Sequence, residues 1–94
     1  MKTQVTFRHL KTNTSLQDAA IDSASKFERF YDGITSTDVV FTNDNDKIVE
    51  FTVHVLGNTI VAKEGSGDFN KSLNEASDKI IRQLKKWKEK KITK

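Results

Sequence analysis

The groups in this sequence that can do chemistry are mostly cations, and half of them stand together. Between positions 79 and 94 lie Lys79, Arg82, Lys85, Lys86, Lys88, Lys90, Lys91 and Lys94, eight of the chain's sixteen basic residues. The only acid among them is Glu89, so this stretch carries a charge of +7. Residues 1–78 hold eight bases and twelve acids, a charge of −4. The net charge of +3 thus conceals a mildly acidic body with a strongly basic end. Clustered Lys and Arg neutralise phosphates and release their counterions, so this asymmetry points to a polyanionic partner, a nucleic acid or an anionic surface.

Reactive constellations do not accompany the cations. There is no cysteine, which removes disulfides, thiolate metal sites and a cysteine nucleophile. His9 and His54 do not stand at metal-ligand spacing with each other. Asn43-Asp-Asn-Asp46 reads as a turn, because a calcium loop would also need a later glycine and a bidentate glutamate. Gly65-Ser-Gly67 lacks the lysine and hydroxyl that follow in a phosphate-binding loop, and reads as a turn. The acids are scattered, with no pair suited to acid–base work. The expectation is a binding protein, not an enzyme, with no cofactor, metal or small-molecule substrate.

The cations must be positioned by a helix. Phe69, Leu73, Ala76, Ile80, Leu84 and Trp87 recur at steps of four, three, four, four and three, the period of one helical face. At about 100° per residue these six form an apolar stripe roughly 80° wide. Lys79, Arg82, Lys86 and Lys90 form a second stripe beside it, and Lys85 and Lys88 lie on the opposite flank. The helix can therefore dock by one face and present cations along others. Asp68 is the expected N-cap. Trp87, on the apolar stripe, is read as a core-edge residue rather than a base-stacking ring.

The rest of the chain supplies the docking surface. Gln4 to His9 alternates as a strand. A helix capped at Asn13 or Thr14 runs to about Tyr31, with Leu16, Ala20, Ala24, Phe27 and Tyr31 as its buried stripe and Gly33 suited to a left-handed C-terminal cap. Strands are expected over Thr37–Thr42, Lys47–Leu56 and Thr59 to Lys63 or Glu64, with a hairpin turn at Gly57-Asn58 and a loop over Gly65–Gly67. Val49, Phe51, Val53 and Val55 face one side of the third strand, and Ile48, Glu50, Thr52 and His54 the wetter side. The order is β-α-β-β-β-α. The fold class is α+β, a single domain over residues 1–94 with a four-stranded mixed sheet and two helices packed on one face. The amino terminus lacks the apolar segment of a signal peptide and no run approaches a membrane span, so a cytoplasmic protein is expected.

The stretch Asp78-Lys-Ile-Ile-Arg-Gln-Leu-Lys-Lys-Trp-Lys-Glu-Lys90 resembles the terminal Asp-Lys-Leu-x-Arg-Gln-Leu-x-Lys-x-Lys-x-Lys of the short ribosome hibernation-promoting factors. That family is also called ribosome-associated inhibitor A or sigma-54 modulation protein. Lys26-Phe-Glu28 with Phe30-Tyr-Asp32 resembles the end of its first helix. Thr52-Val-His-Val55, Gly57, Ile60, Ala62 and Asp68 fall in register. The resemblance implies the same β-α-β-β-β-α fold and a role in translation. Members bind the small ribosomal subunit in the groove between head and body, overlap the mRNA path and tRNA decoding sites, and keep idle ribosomes inactive. Carried onto this chain, it implies rRNA phosphate contacts by Lys79, Arg82, Lys86 and Lys90 on the second helix and Lys26 on the first. Lys85 and Lys88 join them by charge and proximity.

Departures from the pattern are specific. Asp68-Phe-Asn70 stands where the family often has Asp-Met-Tyr, Ser23 where relatives often carry a base, and Trp87 where the residue is usually smaller or polar. The chain ends at Lys94, without the acidic tail of the inhibitor branch or the dimerisation domain of the long form. It is expected to act as the short form, a monomer off the ribosome that relies on a separate ribosome modulation factor for any ribosome pairing. The competing expectation, following the family's transcription-related name, is a regulator acting through a protein partner.

Overall fold

The computed structural model describes the backbone of residues 2–92 and the side chains of residues 2–88. Its elements are β1 (Lys2–Arg8), α1 (Thr14–Phe30), β2 (Ile34–Asn43), β3 (Lys47–Val55), β4 (Asn58–Ser66) and α2 (Phe69–Ile92). The sheet order is β1-β2-β3-β4, with β1 parallel to β2 and the other pairs antiparallel. The α1 crossover produces the parallel pair, and the short turns produce the antiparallel ones. This is the expected α+β architecture.

Both helices cover the same face. Val39 and Phe41 of β2, Val49, Phe51, Val53 and Val55 of β3, and Ile60 and Ala62 of β4 join Leu16, Ala20 and Phe27 of α1 and Leu73, Ala76, Ile80 and Leu84 of α2 in one cluster. The period of two along the strands meets the period of 3.6 along the helices there. Val5 and Phe7 extend this core under α1, with Phe7 stacked on Phe41 at 5.2 Å between ring centroids. The opposite face carries Ile48, Glu50, Thr52 and His54, all half-buried. His54 Nε2 lies 3.2 Å from Asp38 Oδ2 there, a sheet-surface residue as its strand alternation implied.

The helix ends follow their capping chemistry. Asn13 caps α1, its Oδ1 accepting from the Leu16 amide at 3.1 Å. Asp68 caps α2, its Oδ1 accepting from the Asn70 amide at 3.3 Å. Buried Ser72, one turn into α2, donates to the Lys47 carbonyl at 2.7 Å and lies 2.7 Å from the Ser66 hydroxyl. These bonds tie the start of the basic helix to both strands of the β3–β4 hairpin.

Several boundaries differ from the sequence reading, each for a local reason. β1 starts at Lys2 and stops before His9, whose φ of 62° turns the chain out of the strand. β2 spans ten residues because it has a partner on both edges. The hairpin turn is Leu56-Gly57, one residue earlier than expected: Asn58 already pairs with Val55, and Gly57 supplies the positive φ of 81°. Gly65 and Ser66 belong to β4, because the long β3 offers them Ile48 and Lys47 as partners. The connection to α2 shrinks to Gly67 and Asp68.

Gly33 is not the left-handed cap expected of it. Tyr31 ends α1 in extended conformation (φ −151°), and Gly57 alone among the described glycines has positive φ. Gly33 is needed for another reason. A Cβ there would lie 2.6 Å from Cε2, 2.8 Å from Cζ and 2.9 Å from the hydroxyl of Tyr31. Tyr31 is buried and its hydroxyl accepts a hydrogen bond from Trp87, so the ring has little room to yield. Gly33→Ala is therefore expected to destabilise the protein by about 1–3 kcal/mol through overpacking. A lowered urea midpoint with unchanged slope checks this.

Candidate nucleic-acid interface

α2 docks through Leu73, Ala76, Ile80 and Leu84, all buried, with Phe69 and Trp87 half-buried at either end. That docking divides the helix's cations between two flanks. One borders β4, and the other borders α1.

On the β4 flank stand Lys79, Arg82 and Lys86, all exposed. Lys79 forms an ion pair with Glu64 of β4. Arg82 and Lys86 form no ion pair among the described residues. Between them Gln83 donates its side-chain amide to the Val61 carbonyl at 3.4 Å, fastening the helix to this edge strand.

On the α1 flank stand Lys85 and Lys88, also exposed. The Lys85 ammonium lies 5.4 Å from the centroid of the Phe30 ring, a contact worth about 0.5–1 kcal/mol at an exposed site. Lys26, exposed on α1, precedes Phe30 by four residues and so shares its side of the helix. The fold thus brings Lys26 toward the same helix–helix seam as Lys85. Lys90 belongs to α2 by its backbone, and its side chain lies outside the described residues.

The distal end of α2 is held by one polar contact. Trp87 Nε1 donates to the Tyr31 hydroxyl at 3.0 Å, joining the two helices. Trp87 is therefore a core-edge residue, as its place on the apolar stripe implied. Ser23, where relatives often carry a base, is buried.

Three contributors escaped the sequence reading: the Phe30 ring beneath Lys85, the Tyr31 partner of Trp87, and the Glu64 partner of Lys79. All are contacts between elements far apart in sequence. Glu64 alone left a signal, since it continues the Ile60, Ala62 alternation onto the covered face of β4. Chemically, the surface is a ridge of lysines and arginine over a rigid two-helix base. It can bind phosphates. Among the described residues there is no group of three or more His, Cys, Asp or Glu arranged to hold a metal, and no helix long and apolar enough to cross a membrane.

Known proteins share both the sequence and this architecture. A ribosome hibernation promoting factor from Azotobacter vinelandii is 34% identical over 98% of this chain and 87% of its own length. A ribosome hibernation promotion factor from Deinococcus radiodurans is 29% identical over 90% of this chain, which spans only 48% of that longer protein. Among solved structures, a ribosomal subunit interface protein from Coxiella burnetii superposes with a TM-score of 0.86 at 26% identity, covering 94% of this chain and 98% of its own. The N-terminal domain of Thermus thermophilus Protein Y shares the fold, with a TM-score of 0.82 at 20% identity over 89% of this chain and 94% of its own. With the family model matching residues 3–92, nearly the whole length over which the basic helix and its docking sheet are built, the chain belongs to the Sigma 54 modulation protein / S30EA ribosomal protein family.

Proposed function

We propose that this protein binds the small ribosomal subunit in the groove between head and body, covers the mRNA path and tRNA decoding sites, and so holds idle ribosomes inactive. The observation that carries this reading is the set of exposed cations on the two flanks of α2, Arg82, Lys86 and Lys88, which form no ion pair among the described residues, in a member of this family. Lys26 and Lys85 extend it across the helix–helix seam, and Lys79, already paired with Glu64, and Lys90 are the remaining cations at either end. The mechanism is steric. A rigid wedge occupies space that mRNA and tRNA need, and no bond is made or broken. Phosphate contacts supply affinity, and the shape of folded rRNA supplies specificity.

Co-sedimentation with purified ribosomes over a salt series tests the reading. The protein is expected to travel with the small subunit and to leave steeply as salt rises. Any ribosome pairing would appear as a heavier peak in the same gradient, and its dependence on a separate modulation factor can be read by adding one. A protein that remains at the top of the gradient at every salt concentration would sink the ribosomal reading and favour a protein partner.

A further inference from the structure

Glu64 is an anomaly on β4. It pairs in register with Val49, and with Ile60 and Ala62 it continues the face that the helices cover. Its side chain is 22% exposed, beneath the edge of α2. A carboxylate in such a position is costly to leave unpaired. Lys79 supplies the partner, its own side chain 51% exposed. Two more acids crowd the same place. Glu75 precedes Lys79 by four residues and Asp78 precedes Arg82 by four, the spacing of neighbours on one helix face. Glu64, Glu75, Asp78, Lys79 and Arg82 line one shallow groove between β4 and α2, three acids against two bases. The distal cations Lys86 and Lys88 have no such company among the described residues.

The basic surface is therefore graded. Among the described residues its distal turn offers unpaired charge, while on its proximal turn Lys79 is paired within the protein and Arg82 stands beside acids without an ion pair. We propose that Glu64 tempers the affinity of the ribosome-binding surface by holding Lys79 in an ion pair that an rRNA phosphate must break. The proposal rests on the ribosomal reading for its partner, and it assigns Glu64 a role in setting how readily the protein leaves. The carboxylate is partly sheltered by α2, so water competes for the pair less than it would at a fully open site.

Four proteins decide it: the wild type, Glu64→Gln, Lys79→Gln, and the double variant. Each is measured for binding to purified small ribosomal subunits by sedimentation, and for elution salt on a heparin column. Glutamine is isosteric with glutamate at position 64 and leaves a polar, uncharged side chain at position 79, and a thermal melt verifies that each variant is folded. Glu64→Gln frees one cation for a phosphate. It is expected to tighten subunit binding about fivefold at about 0.15 M salt and to steepen the log–log salt slope by about 0.7–0.9. Lys79→Gln alone is expected to weaken binding by less than about twofold, since that charge is already engaged. Glu64→Gln in the Lys79→Gln background is expected to do little.

Tightening of equal size in both backgrounds would show a general charge effect and overturn the tether, as would no tightening at all. If no variant sediments with subunits, the ribosomal reading fails. The heparin column then still decides the tether, which stands if later elution of Glu64→Gln requires Lys79 and falls if it does not.

Discussion

Reversing two charges on the distal turn of α2, Lys86→Glu together with Lys88→Glu, is expected to weaken binding to small ribosomal subunits about a hundredfold or more at about 0.15 M salt. Both side chains are exposed and unpaired among the described residues, and they straddle the helix, one on each flank. Each reversal removes a phosphate contact and places a like charge against the backbone of the RNA. The log–log salt slope is expected to fall by about 1.5–2. Thermal stability is expected to shift by no more than a few degrees, because neither residue reaches the core and surface substitutions of this kind are usually worth about 0.5 kcal/mol or less. Lys85 is deliberately spared. Its ammonium sits over Phe30, so its loss would mix a packing change with the loss of charge. Wild-type binding by this variant would remove the α2 assignment, even if the protein were found on ribosomes.

The docking face of α2 was the most legible part of the molecule, and the reason is physical. A helix repeats every 3.6 residues, so the apolar stripe and the basic stripe could be separated by counting. The stripe from Leu73 to Leu84 is buried as that counting required. The strand faces were legible for the same reason, since Val49, Phe51, Val53 and Val55 alternate strictly. Strand ends were less so. Gly65 and Ser66 look like a loop by composition, yet β3 is long enough to pair with them, and pairing outweighed composition. Gly33 was given the common role of a glycine after a helix, and its actual constraint, the Tyr31 ring, depends on where a side chain folds back. The candidate site divides along the same line. Which residues are cationic and exposed follows from local period. Which of them are already engaged, Lys79 by Glu64 and Lys85 by Phe30, depends on contacts between distant elements.

Phe27→Ala is expected to have the largest effect on stability, and the opposite pattern on binding. Phe27 is fully buried and meets Phe51 of β3 edge to face, at 5.2 Å between centroids and 79° between planes. Of the buried residues within α1, only Leu16 and Phe27 are large, with Ala20, Ser23 and Ala24 completing the face. Phe27 therefore carries most of what holds this helix to the sheet. Truncating a buried phenylalanine costs about 3–5 kcal/mol, part transfer and part residual cavity. A 94-residue domain has roughly 5–14 kcal/mol in total, so a large share of the margin is lost. The melting temperature is expected to fall by about 15–30 °C. α1 also holds Lys26, the Phe30 ring beneath Lys85, and leads into Tyr31, which accepts from Trp87. Ribosome binding is thus expected to fail near the lowered melting temperature. Well below it, where the variant is folded, affinity is expected to lie within a few-fold of wild type, because no phosphate contact has been removed. The single tryptophan, seated at this helix–helix junction, reports the folded fraction by fluorescence in the same samples. A fall of less than about 5 °C would mean that α1 is held by something other than Phe27. Weak binding by fully folded Phe27→Ala would mean that the interface depends on α1 more directly than its one assigned cation, Lys26, implies.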